Sequence, residues 1–181
     1  MIVLTGASAS GKTVTALDLQ KRHGLVKAIT TTTREKRVGE TDGVEYFFIT
    51  KDEFQKRLAE NKFVEHSLYN GNYYGCGVDQ VSDNKIVVLD PNGLHSFLKL
   101  QNKNIVSFLL IADESTRKAR MQSRGDKEAN IKQRIENDVN DFSFEKIGKV
   151  DFVINTENYT IEEVSDLIYK LYSEKLKNKV A

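Results

Sequence analysis

An α/β fold, with a parallel sheet flanked by helices and a small mixed lobe inserted into it, is predicted by three observations on this 181-residue chain. Apolar β-like runs alternate with helical patterns, the order that builds parallel sheets with helices on both faces. A glycine-rich motif without a gap joins the first run to the first helix. The alternation then fails over residues 34–81, where short strands of a separate sheet are expected.

Met1–Thr5 (MIVLT) has the length and composition of a buried strand. Gly6-Ala7-Ser8-Ala9-Ser10-Gly11-Lys12-Thr13 follows and fits the spacing G-x-x-x-x-G-K-[ST]. Thr13–His23 reads as a helix closed by Gly24. In that context the loop N–H groups and the helix N-terminus attract phosphate oxygens. Lys12 is placed to reach β- and γ-phosphates and the Thr13 hydroxyl to ligate Mg²⁺, which predicts a P-loop NTPase-type sheet. Further strands are read at Val26–Thr31, Ile86–Asp90, Ile105–Ile111 and Phe152–Asn155, and helices at Leu94–Asn102, Ser115–Ser123, Asn130–Asp141 and Ile161–Lys177. Within the lobe, Tyr46–Ile49 and Phe63–Tyr69 read as strands, Thr50-Lys51-Asp52-Glu53 has capping-box spacing, and Asn70-Gly71-Asn72 signals a hairpin turn. Arg117–Lys132 is densely charged around a glycine and reads as a basic lid.

Lys and Arg number 27 against 26 Asp and Glu, a net charge of +1, which argues against a general nucleic-acid or membrane-surface binder. The single cysteine, Cys76, excludes an internal disulfide and a cysteine-based metal site, and His23, His66 and His95 lack metal-ligand spacing. No signal peptide or bilayer-length apolar run is visible, so a soluble, cytoplasmic protein is expected.

A second constellation, T-T-R-x-x-R-x-G-E-x-x-G-x-x-Y-x-F, spans Thr32–Phe48. Arg34 and Arg37 in a glycine-containing loop suit a dianionic phosphate, because guanidinium forks bind phosphate oxygens in pairs. Tyr46 and Tyr74 add hydroxyl donors. With the phosphate loop, the segments Phe63–Tyr69 and Gly71-Asn72-Tyr73-Tyr74-Gly75, the run Arg120–Gly125 and Val153-Ile154-Asn155, this motif resembles guanylate kinase along nearly the whole chain.

The resemblance implies transfer of the γ-phosphoryl group of Mg·ATP to GMP, with ATP and GMP as partners and no nucleic acid or membrane. It implies that Gly6 to Thr13, Arg120, Arg124 and Asn155 bind ATP, with Thr13 on the metal. Lys12, Arg124, Arg134 and Asp90 would be catalytic; Thr30, Arg34, Arg37, Tyr46, Glu65, Tyr74, Cys76 and Asp90 would bind GMP. Glu65 would read guanine, whose N1–H and N2–H₂ donors one carboxylate can accept together; a site with buried polar groups rejects a base that leaves them unpaired. The expected organisation is one unit: a core of residues 1–33 and 82–181, an acceptor lobe of 34–81 and a lid at about 120–134.

Three departures stand out. Cys76 replaces a usual Ser or Thr; Val88 replaces the first of two acids, leaving Asp90; and the loop between Gly75 and Lys85 is short. Asp90 closes an apolar run in the manner of a metal-binding strand end, so a Mg²⁺ role and a GMP role both stay open for it. The alternatives are a related kinase with another phosphorylated acceptor and a non-catalytic binding module, the latter opposed by Lys12 and Thr13. A GTPase switch would need an Asn-Lys-x-Asp motif, which Asn102-Lys103-Asn104-Ile105 lacks.

Overall fold

The computed structural model describes residues 1–69 and 71–178, so Asn70 of the expected hairpin turn lies outside the described residues. Two sheets organise it. The larger is all parallel, in the order β2 (Val26–Lys27), β7 (Lys85–Val88), β1 (Ile2–Thr5), β8 (Val106–Ile111), β9 (Phe152–Asn155). The smaller is mixed, in the order β4 (Phe47–Phe48), β3 (Thr31–Thr32), β6 (Asn72–Gly77), β5 (Phe63–Tyr69).

Strand β1 is buried along its whole length, as a central parallel strand must be. Its alternate residues feed two cores. Ile2 and Leu4 join Leu19 of α1 (Lys12–His23) and Val164, Ile168 and Tyr172 of α7 (Ile161–Lys177). Met1 and Val3 join Leu94 and Phe97 of α3 (Pro91–Lys99) and Ile147 of α6 (Phe144–Ile147). Helix α1 buries Thr15, Ala16 and Leu19 and leaves Leu17 exposed. Thr160 opens α7 with a complete capping box, worth about 1 kcal/mol of helix stability.

The expected strand Val26–Thr31 is two strands in different sheets. Val26–Lys27 pairs with β7, the chain turns away after Ala28, and Thr31–Thr32 pairs with β4 and β6. A run with β-branched residues at both ends cannot reveal such a crossing, because both ends have strand composition. Buried Gln80 sits at the crossing: its carbonyl accepts from Ile29 N–H at 3.1 Å and Lys85 Nζ at 2.6 Å. In the small sheet, α2 (Lys51–Ala59) presses Phe54 onto Phe63 and Tyr73, with ring centroids 4.3 and 5.2 Å away. Gly75 permits this packing, since a Cβ there would lie 2.9 Å from the Glu65 carbonyl oxygen and 3.2 Å from the Phe54 ring.

Candidate active site

The sites converge at the C-terminal edge of the parallel sheet, where open α/β sheets hold ligands. Gly6 follows β1 with φ 145°, and a Cβ would stand 2.2 Å from the Leu110 carbonyl oxygen, so only glycine lets the loop turn so close to β8. Ala9 is left-handed at φ 59°, and Gly11 caps α1 at φ 104°. The Lys12 ammonium folds onto the carbonyl oxygens of Gly6 at 2.5 Å and Ala7 at 2.8 Å. Burial lowers its pKa to about 8; Asp138 opposes that fall, and Arg117 and Arg124 add to it. A cavity of about 380 Å³ opens beside the loop, lined by Gly11, Thr13, Arg120, Arg124, Thr156 and Tyr159 among others.

Helix α4 (Glu114–Ser123) and helix α5 (Glu128–Asp141) carry the basic segment. Arg120 is anchored: it donates to the carbonyl of Ala9 at 3.2 Å and to that of Thr156 at 2.8 Å. Arg124 and Arg134 both reach Asp126, at 2.6 and 3.5 Å, with Arg124 also on the cavity. Asn155 exchanges hydrogen bonds with Glu157, while its neighbour Thr156 faces the cavity.

On the small sheet, Arg34 lies over the rings of Tyr46 and Phe48, 5.6 Å from each centroid, and Tyr46 meets Tyr74 edge-on at 6.0 Å. Arg34 is held by Glu40 at 2.7 Å, and the same carboxylate accepts the Arg37 N–H at 2.8 Å. Arg37 itself is exposed, and Thr30 precedes β3 with its carbonyl accepting from Phe47.

Glu65 follows an irregularity in β5 and faces Cys76 on β6, whose N–H it accepts at 2.9 Å. Burial raises the Glu65 carboxyl to about 7; that hydrogen bond works against the rise and the Asp90 charge adds to it. The Cys76 thiol lies in the core with burial pushing it up to about 12, so what Cys76 offers Glu65 is its backbone N–H. Asp90 is exposed and caps α3 by accepting the Gly93 N–H at 2.8 Å. Leu89, its neighbour, is tied to β1 through the Leu4 carbonyl at 2.9 Å and the Thr5 hydroxyl at 3.0 Å. Asp90 therefore follows a residue bonded to the strand that leads into the phosphate loop, and its charge acts on Glu65. Val88, where a carboxylate was expected, is 39% exposed.

Two residues of this site escaped the sequence reading. Asp138 accepts the Ser8 N–H at 2.9 Å and its hydroxyl at 3.2 Å, and Arg117 pairs with Asp138 at 2.7 Å; both are buried. A usable signal was periodicity. Ile131, Ile135 and Asp138 fall on one face of α5, and Arg117 and Met121 on one face of α4, so each charge occupies a core position.

A glycine loop between a central parallel strand and its helix, beneath a basic helical segment, defines a P-loop NTPase-type α/β protein. The profile of the guanylate kinase family matches residues 1–171, and the chain belongs to that family. A guanylate kinase of Carboxydothermus hydrogenoformans is 34% identical over 191 residues, covering 99% of this chain and 90% of the relative. The Schizosaccharomyces pombe guanylate kinase is 33% identical, covering 96% of this chain and 86% of its own. The crystal structure of guanylate kinase from Anaplasma phagocytophilum shares the fold, with TM-score 0.64 and 24% identity over 97% of this chain and 85% of that one. No helix among the described residues is long and apolar enough to cross a membrane.

Proposed function

We propose that this enzyme phosphorylates GMP with ATP, giving GDP and ADP. What supports this reading is the neighbourhood of Asp90, whose neighbour Leu89 is bonded to the strand leading into the phosphate loop and whose charge acts on Glu65. Of the two anion-directed sets of residues, one is the phosphate loop with Lys12; in the other, the small sheet offers Arg34, Tyr46 and Tyr74 for a phosphate and Glu65 for a base.

A phosphate oxygen of GMP attacks the γ-phosphorus as the bond to the ADP oxygen breaks, so no covalent enzyme intermediate is required. Little is asked of the protein beyond alignment and charge. Lys12 would follow the γ-phosphoryl charge, and Arg124 and Arg134 would exchange Asp126 for phosphate oxygens. Arg34 would exchange Glu40 for the GMP phosphate, with Arg37 beside it. Thr30 would lie by the base, and Arg120 and Asn155 at the loop and adenosine ends of ATP.

The exposed Thr13 hydroxyl at the start of α1 fits Mg²⁺, which keeps several waters and needs few protein carboxylates; held there with the ATP phosphates, it would neutralise charge on the transferred group. Asp90 is aimed at the Gly93 N–H and lies near Glu65, which favours the GMP role for it.

An ADP-release assay with ATP and a panel of GMP, dGMP, AMP, UMP, CMP and ribose phosphates tests the assignment. GMP is expected to exceed AMP by a wide margin. Preference for AMP, or indifference to every nucleotide, overturns it.

A further inference from the structure

We infer that Arg117 and Asp138 form a positioning pair that sets the crest of the phosphate loop and ties it to the helix bearing Arg134. The inference rests on the ATP-site reading above. Its distinctive observation is that one buried ion pair engages every polar group of one loop residue. Asp138 accepts the Ser8 N–H at 2.9 Å and the Ser8 hydroxyl at 3.2 Å, while Arg117 Nη1 donates to the Ser8 carbonyl at 3.4 Å and to Asp138 at 2.7 Å. Ser8 thus has no freedom to rotate either of its peptide planes without breaking a contact.

The next residue is held from the same helix. Arg120, three positions after Arg117 and so on the same face of α4, donates to the carbonyl of left-handed Ala9 at 3.2 Å. The crest Ser8-Ala9 is therefore fixed by two arginines of α4 and one carboxylate of α5. A non-glycine residue at positive φ persists only where its surroundings over-determine it, and here the surroundings are these three side chains.

The pair also reaches the chemistry. Asp138 and Arg117 act in opposite senses on Lys12, with Arg124 on the side of Arg117, so the ammonium faces a paired carboxylate rather than a lone one. Asp138 lies four residues after Arg134, one helical turn along α5, so the point where α5 meets the loop governs where Arg134 stands. A buried pair is poor evidence for stability by itself, because apolar residues of similar volume often replace one without loss. Its value here is geometric.

The test exploits that asymmetry. Arg117→Met with Asp138→Ala removes both charges together, leaving no unpaired buried charge. Wild type and the double variant are compared by melting temperature, by direct titration with Mg·ATP, by direct titration with GMP, and by steady-state kinetics. A positioning pair predicts a melting temperature within a few degrees of wild type, an unchanged GMP Kd, and Mg·ATP binding about tenfold weaker or more, the lower end of what a lost charge-assisted hydrogen bond costs. It also predicts that Arg134→Ala costs kcat less in the double variant than in wild type, since α5 has lost its register.

Wild-type Mg·ATP affinity in a folded double variant overturns the inference, as does equal weakening of ATP and GMP. Should the double variant not fold, Asp138→Asn, which keeps an acceptor for the Ser8 N–H, is judged on the same split. Mg·ATP titration does not depend on the acceptor, so a failed GMP assignment and a failed positioning pair give different results.

Discussion

Lys12 holds its ammonium against the loop's own carbonyls, and burial brings its pKa to about 8. Only the protonated form can meet phosphoryl charge, so kcat/KM for ATP is expected to fall as pH rises through about 8. Lys12→Arg keeps its charge throughout this range, so the alkaline limb should vanish even if overall turnover is low. Glu65 gives the opposite sign. Its carboxyl is raised to about 7, and only the ionised form accepts from both guanine donors. GMP binding by calorimetry should therefore tighten from pH 6.5 to 8 and then level off. Glu65→Gln should bind weakly with no such limb. The residue types were legible in the chain, because phosphate loops and paired arginines have fixed spacings. The Glu65 environment was not: its burial arises from tertiary packing and the Asp90 charge reaches it from another strand end, neither of which leaves a local pattern.

Elements were legible where periodicity, caps or flanking motifs agree, as in α7 with its capping box and in β1 with its apolar run ahead of the glycine loop. Short elements were not. The strand of residues 26–31 divides between two sheets, α6 has four residues, and Asp138 lay in the expected helix Asn130–Asp141 with nothing in its type to mark a buried charge. Helix α3 starts three residues before the expected Leu94 because Asp90 and Pro91 form its N-terminus, a cap followed by the residue best suited to the first turn. Asp90 thereby has two separable effects. Asp90→Asn preserves the cap, since Asn caps as well as Asp, yet removes the charge beside Glu65. Its melting temperature should match wild type while the GMP pH limb moves to lower pH. Asp90→Ala should in addition cost about 1 kcal/mol of stability in urea unfolding. A pH limb that stays put in Asp90→Asn would remove Asp90 from the base site.

The two anion-directed sets belong to different sheets and helices. Single substitutions should therefore separate. Arg34→Ala is expected to raise the GMP KM by about tenfold or more, from a lost charge-assisted contact of roughly 1.5–3 kcal/mol, with little change in the ATP KM. Arg124→Ala should do the reverse, its side chain lining the cavity beside the phosphate loop. Parallel loss of both substrates in either variant would show that the fold, not the site, had been damaged.

The exposure of Val88 has a consequence for the chain's history. Some valine codons lie one base from an aspartate codon, and a side chain 39% exposed at the end of β7 leaves a new charge in reach of water. Val88→Asp should fold with a melting temperature within a few degrees of the parent, since surface changes rarely exceed about 0.5 kcal/mol. If it does, the missing acid is a reversible step that lineages can cross in either direction without passing through a misfolded ancestor.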